Sequence, residues 1–172
     1  MREELTTFRT ALGWCAMLCR GEELCALTFG HRNADAAIGW LDSDLTAGVR
    51  LSRWNPDLAR RIAAMLDGEP VDFRDVAVDT SHLTTFSRRV ARACRKIGWG
   101  ETKSYAELAA SVGSPRAARA VGHVMATNRT PLVVPCHRVI GSGGGLGGFS
   151  APDGLSMKRR LLTLESAACC RA

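Results

Sequence analysis

Apolar and polar positions alternate weakly from Leu12 to Phe29, and the run is broken by Arg20-Gly21-Glu22-Glu23. Period-two alternation around a polar, glycine-containing break predicts a β-hairpin turning at those residues. Farther on the period lengthens. Asn55-Pro56 opens a stretch in which Leu58, Ile62 and Met65 share one helical face, predicting a helix through Leu66 that stops at Asp67-Gly68. Val71 to Val78 reads as a further strand. Thr84 or Thr85 then caps a helix whose Phe86, Val90, Ala93 and Ile97 face inward, ending at Gly98.

The next segment is punctuated more sharply. Tyr105 to Val112 has helical composition, and Gly113 is a natural stop just beyond it. Ser114 offers an N-cap oxygen and Pro115 suits a first helical position, so a second helix is predicted to run to about Met125. Two short helices joined by a Gly-Ser turn form a helix-turn-helix pattern. Ala118, Val121, Gly122 and Met125 supply the buried stripe of the second helix. Arg119 lies about 200° around the wheel from Val121 and points away from that stripe, with Arg116 and His123 beside it. Ala117, Ala118, Ala120 and Gly122 are small enough to let this helix press closely on a partner.

Charge suggests which partner. The chain has 172 residues and a net charge of +6, distributed unevenly. Residues 1–80 carry 9 basic and 13 acidic side chains, and residues 81–172 carry 14 and 4. A basic half holding a helix-turn-helix favours a polyanion, and nucleic acid is the favoured reading.

Candidate chemistry sits downstream, in Pro131-Leu-Val-Val-Pro-Cys136-His137-Arg-Val-Ile140. Cysteine is a nucleophile only as thiolate, and a neighbouring base is one way to make it so. A free cysteine is equally at home as a small buried hydrophobe. The following Gly143-Gly-Gly-Leu-Gly-Gly148 satisfies G-x-G-x-x-G, but it runs into Phe149-Ser-Ala-Pro152-Asp-Gly, which cannot start a helix. A dinucleotide fingerprint must open a helix directly, so this is read as a flexible substrate-pocket loop.

Taken together, Gly100-Glu-Thr-Lys-Ser-Tyr105-Ala-Glu-Leu-Ala, Pro115-Arg-Ala-Ala-Arg119-Ala-Val-Gly, Asn128, Val134-Pro-Cys136-His-Arg-Val and Gly147-Gly-Phe-Ser150 resemble the methylated-DNA–protein-cysteine methyltransferase family. The resemblance covers about residues 84 to 165. It implies repair by direct reversal: the alkyl group of O6-alkylguanine passes irreversibly to the protein's own cysteine, once per chain. Cys136 matches the acceptor, His137 the base that deprotonates it through a water, and Glu165 the group that orients the base. Tyr105 matches the proton donor to the departing base, and Asn128 the hinge that ties the helix-turn-helix to the acceptor loop. Val139, Gly147, Phe149, Ser150 and Lys158 match the substrate pocket. On the DNA side, Arg119 matches the finger that fills the gap left by a flipped base, with Arg116, Ala120, Ser104 and Thr102 around it. The family docks its second helix in the minor groove of double-stranded DNA, largely independent of sequence, and base flipping brings the target to the cysteine. No cofactor is implied. Taken singly, Tyr105 could be a packing residue, Asn128 a helix-end turn and Glu165 a surface charge.

The expected architecture is α/β (α+β). Residues 1–80 form a small N-terminal α/β domain with an antiparallel sheet, ribonuclease-H-like by the resemblance. Residues 81–172 form a mainly helical DNA-binding and alkyl-acceptor domain. Seven cysteines, at 15, 19, 25, 94, 136, 169 and 170, argue by their odd number against a disulfide framework. Cys15, Cys19, Cys25 and His31 raise the question of zinc, but they lack C-x-x-C pairs and fit strand packing equally well, so no metal is assigned. Cys169 and Cys170 sit in a polar tail and are given no role. Met1 to Thr7 lacks the basic start and apolar core of a signal peptide, and no membrane-length apolar run follows. A cytoplasmic monomer is expected, nucleoid-associated during repair, with no membrane or obligate protein partner. Two other classes stay open on the residues alone. A non-enzymatic helix-turn-helix DNA binder would leave Cys136-His137 idle, and a cysteine hydrolase would leave Arg119 without a role.

Overall fold

The structure, a computed structural model, describes residues 3–169. The expectation for Cys170, and that for the Cys169 side chain, lie outside the described residues. The chain forms a mixed α/β architecture with a small sheet and several helices. Strands β1 (Glu3–Thr10), β2 (Gly13–Arg20), β3 (Glu23–His31) and β4 (Arg50–Leu51) lie in the order β3-β2-β1-β4. The first three are antiparallel, with Leu5 opposite Leu18, and β4 runs parallel to β1. The predicted hairpin is β2–β3, turning at Gly21-Glu22. β1 is an addition that the alternation did not reveal.

The alternation is weak because β2 is covered on both faces, with Cys15 to Cys19 buried in an unbroken run. On one face Cys15, Met17 and Phe29 pack against α3 (Pro56–Leu66) through Leu58, Ile62 and Met65. On the other, Ala16 and Leu18 pack against Ala37 and Leu41, in and just after α1 (Ala34–Trp40). α3 is as predicted: Pro56 takes its first turn, and the Asn55 side chain accepts from Leu58 N–H.

β3 is an edge strand, but its edge is not bare. Leu24 N–H donates to Ala77 O at 2.9 Å, Asp79 N–H to Leu24 O at 3.0 Å, and Leu27 N–H to Arg129 O at 2.8 Å. Loops from the rest of the chain thus occupy backbone groups that could otherwise template aggregation.

Three expectations are corrected. Val71–Val78 is not a strand, and only an isolated bridge joins Val78 to Leu24. Two of its carbonyls are taken by a side chain instead: Arg95 donates to Phe73 O at 2.7 Å and to Val76 O at 2.8 Å. Helix α4 (Thr85–Cys94) is capped by Thr84 but ends at Cys94, short of Gly98. Lys96 N–H to Ala93 O and Ile97 N–H to Cys94 O tighten the chain into turns there, and Ile97 is buried all the same. Third, Ser114 and Pro115 do not start a helix. Ala117 N–H closes a turn on Ser114 O at 2.9 Å, and α6 (Ala118–Ala126) begins beyond it without a side-chain cap.

Ahead of that turn, Ser104 and Glu107 form a reciprocal capping box on α5 (Tyr105–Ser111). Gly113, at φ 70°, reverses the chain after it, and Ser114 N–H returns to Ala109 O at 3.0 Å. α4, α5 and α6 enclose a second core of Val90, Cys94, Leu108, Val121 and Val124. The first core crosses residue 80, since Leu132, Val133, Met157 and Leu161 pack with Phe29 and Ile62. The last element, α7 (Gly154–Cys169), packs along the turn that holds Cys136. Among the described residues no helix is long and apolar enough to cross a membrane.

Candidate active site

The segment after α6 is a succession of tight turns. Val134 N–H bonds back to Thr130 O at 2.9 Å around Leu132, which is held at φ 71°. Pro135, at φ −77° and ψ 65°, has inverse γ-turn geometry, with Cys136 N–H on Val134 O at 2.7 Å. Asn128 secures this strap from the end of α6: its Nδ2 donates to Val134 O at 2.8 Å and its Oδ1 accepts from Thr130 N–H at 3.1 Å. Cys136, His137 and Arg138 then make one buried 3-10 turn leading into β6 (Val139–Ile140). β6 pairs in parallel with β5 (Lys103–Ser104), which brings the start of α5 alongside.

Glu165, well inside α7, is buried beneath that turn. His137 Nε2 lies 2.8 Å from Glu165 Oε1. Because carboxylate oxygen only accepts, Nε2 carries the proton, and Nδ1 is the free lone pair on the ring. Nδ1 is buried without a partner among the described residues. Arg138 clamps the same carboxylate, with Nε 3.0 Å from Oε2 and a terminal nitrogen 2.9 Å from Oε1. Its other terminal nitrogen donates to Ile97 O at 2.7 Å. Gly100 N–H adds a further donor to Glu165 at 3.1 Å. Burial is the largest single influence on Glu165 and pushes its acidity down, but the bonds to His137 and Arg138 together win and hold its pKa below the ordinary value. Burial lowers His137, so its ring is neutral at neutral pH and able to accept a proton.

Burial also pushes the Cys136 thiol up, opposed by a bond from Asn128, the Lys158 charge and backbone N–H groups of Cys136 and His137. Lys158 is itself fully buried, donating to Val139 O at 2.6 Å, with its ammonium 5.9 Å from the Tyr105 ring centre. The Tyr105 phenol is raised, first by burial and then by the Cys136 charge, and so stays protonated. Its hydroxyl faces Gly147, where a Cβ would come within 2.5 Å of the oxygen. Only glycine, here at φ 67°, admits that approach. Cys136 opens on a cavity of about 220 Å³ whose walls include Met125, Pro131, Phe149 and Ser150.

A sequence profile described as "6-O-methylguanine DNA methyltransferase, DNA binding domain" matches residues 85–167. A methylated-DNA–protein-cysteine methyltransferase of Mycobacterium bovis is 42% identical over 120 residues, 66% of this chain and 70% of its own length. That of Mycolicibacterium paratuberculosis is 46% identical over 105 residues, and the match spans 61% of each chain. The crystal structure of Mycobacterium tuberculosis OGT in complex with DNA superposes with a TM-score of 0.79 at 31% identity, covering 96% of this chain and 94% of that one.

The chain belongs to the methylated-DNA–protein-cysteine methyltransferase family.

In this family member the candidate residues fall into three places. Cys136, His137, Glu165 and Asn128 converge on the 3-10 turn, and Tyr105, Lys158, Val139 and Gly147 meet behind it. Phe149 and Ser150 line the cavity, and Ser150 Oγ donates to Ala126 O at 2.9 Å. Arg116, Arg119, Ala120 and Thr102 are exposed around α5 and α6, whereas the Ser104 hydroxyl is engaged in its capping box with Glu107. Sequence reasoning gave Arg138 no role, yet it holds Glu165 more extensively than His137 does. An arginine that follows a candidate Cys-His pair and sits among apolar residues was the available signal, since arginine is rarely buried unpaired. Of the zinc candidates, His31 pairs with Thr28 Oγ1 at 2.6 Å and Cys19 with Glu4 O at 3.5 Å. Among the described residues no three metal-ligating side chains gather.

Proposed function

We propose that this protein repairs O6-alkylguanine in DNA by moving the alkyl group onto Cys136, where it stays. The observation that carries this reading is the buried array His137–Glu165–Arg138 with an unengaged nitrogen on His137, in the same 3-10 turn as Cys136, which lines a cavity. His137 Nδ1 takes the thiol proton through a water. The imidazolium that results is stabilised by Glu165, which Arg138 fixes in place. The thiolate attacks the alkyl carbon in line, the carbon–O6 bond breaks, and its electron pair passes into the guanine. Tyr105, protonated and close to the Lys158 charge, gives the departing base a proton; its phenolate then regains one from solvent as His137 releases the thiol's proton, so that the cysteine's proton is in effect exchanged for an alkyl group. A thioether does not hydrolyse, and the chain acts once.

The target leaves the DNA stack to reach a buried thiol. α5 and α6 serve as the helix-turn-helix, with α6 in the minor groove, Arg119 filling the vacated place in the stack, and Arg116, Ala120, Thr102 and Ser104 against the backbone. Recognition is largely independent of sequence. Residues 1–80 and 81–172 act as a supporting and a DNA-binding, alkyl-accepting domain, and the protein works as a cytoplasmic monomer. Exposure to excess duplex carrying O6-methylguanine tests the reading. One methyl per chain is expected, located on Cys136 by peptide mapping, with none taken up by Cys136→Ala. Repeated turnover or methylation elsewhere would overturn it.

A further inference from the structure

The cavity at Cys136 is larger than a methyl group requires, and part of its wall belongs to the sheet side of the molecule. Phe29 from β3, Trp40 and Leu41 at the end of α1, and Leu45 in the short helix α2 (Ser43–Thr46) face Pro131, Cys136 and Phe149. This wall is held in register with the thiol. Leu27 N–H bonds to Arg129 O at 2.8 Å, Asp42 lies 3.9 Å from the Arg129 guanidinium, and Phe29 and Phe149 approach with ring centres 6.4 Å apart. Trp40 is the unusual member. One side of its ring rests on His31, with centres 5.4 Å apart, and His31 is fixed by Thr28. The residue is nonetheless 54% exposed. Indole seldom stays that bare, because burying it is a large hydrophobic gain. Here it is a preorganised aromatic surface on the rim of the pocket that holds the reacting sulfur.

Building on the alkyl-transfer reading above, we propose that Trp40 determines specificity for arylmethyl groups on guanine O6, whose rings extend from Cys136 along this wall. The chemistry is unchanged: a bond forms from Sγ to the benzylic carbon, the bond to O6 breaks, and guanine leaves with the electron pair. What differs is the transition state's contact with indole, which a methyl group is too short to make.

The test compares single-turnover rates of full-length wild type, Trp40→Ala and Trp40→Phe on duplexes carrying O6-methylguanine or O6-benzylguanine. Trp40→Ala is expected to slow benzyl transfer about tenfold, the scale of a lost aromatic contact, while methyl transfer stays within about twofold. Trp40→Phe is expected to restore most of the benzyl rate. Methyl transfer serves as the check on folding and DNA binding. Equal losses on both substrates, or an unchanged benzyl rate, would overturn the assignment of Trp40 while leaving the alkyltransferase reading intact. A wild type that transfers neither group would overturn the function and this inference with it.

Discussion

Cys15 in the sheet and Cys136 in the 3-10 turn are both buried, and both meet the same obstacle. Removing a thiolate from water raises its free energy, so burial alone pushes each thiol up. At Cys15 no charge opposes this: Thr10 Oγ1, 3.9 Å away, and the Gly30 backbone offset it only in part, and the pKa is pushed up to about 12. Around Cys136 the fold places a hydrogen bond from Asn128, the Lys158 ammonium and a neutral histidine with a free nitrogen. Burial therefore leaves one cysteine a packing thiol and, under the proposed function, shelters the alkyl acceptor in the other region. The difference lies in which polar groups were buried with it, and the largest such investment is the carboxylate–guanidinium pair beneath His137.

Breaking that pair is the largest effect expected. Arg138→Leu leaves Glu165 buried with a neutral histidine and two lost charge-assisted bonds. A stability loss of about 3–5 kcal/mol is expected in urea unfolding. Adding Glu165→Leu removes the stranded charge and should recover part of the loss, though not the bonds to His137 and Gly100. A double variant no more stable than Arg138→Leu would show that Glu165 is not the group left stranded.

Glu165→Gln is a milder change with a clearer kinetic signature. The amide oxygen still accepts from His137, but no negative charge stabilises the imidazolium. Alkyl transfer at neutral pH should fall by about 10²-fold, the low end for losing acid–base assistance. It should recover partly as pH rises, because bulk hydroxide then supplies the thiolate. The same residue sets part of the acid response of folding. Its folded pKa lies below the ordinary 4.5, so its contribution is complete above that pH and disappears as pH falls through the folded value. His137, also lowered, contributes fully above 6.5 and loses its contribution as pH drops below it. Glu165→Gln should therefore flatten the stability–pH curve below pH 4.5 while deepening the histidine-dependent fall below 6.5, because the Glu165 charge that favours the imidazolium is gone. An unshifted rate–pH profile would remove Glu165 from the activation step.

The two regions also differed in how much their sequence disclosed. Helix α3 was legible because its signals are local: Asn55 caps, Pro56 starts, and Leu58, Ile62 and Met65 repeat at helical spacing. The hairpin was legible from Gly21, but β1 was not, since a strand buried partly on both faces loses its alternation. Val71–Val78 misled because its apolar positions pack on the core while Arg95, 19 residues beyond Val76, takes its carbonyls. Ser114-Pro115 misled in the opposite way. Cap and first-turn chemistry suit a tight turn as well as a helix, and the turn closed at Ala117. At the site, residue types pointed to Cys136 and His137, whereas the role of Arg138 depends on a partner 27 positions away. No local pattern carries that pairing.

The smallest expected effect sits at the other end of the comparison. Cys15 has burial without activation, so Cys15→Ala should cost only the transfer energy and cavity of one sulfur atom, about 1 kcal/mol. The two cysteines sit in neighbouring cores: Cys15 packs with Met17, Phe29 and Met157, Cys136 with Val121, Val134 and Val139, and Phe149 packs against both cores and lines the cavity at Cys136. That adjacency gives the variant its value. If alkyl transfer depends on local groups around the thiol, the methyl-transfer rate of Cys15→Ala should stay within about twofold of wild type, since a cavity of that size is absorbed where it forms. The check is to measure unfolding free energy and single-turnover methyl transfer on the same preparation. A rate that fell in step with stability, or by more than tenfold, would mean that the sheet tunes Cys136 across the contact at Phe149, and the contrast between the two thiols would have to be drawn from both cores and not from the few groups touching sulfur.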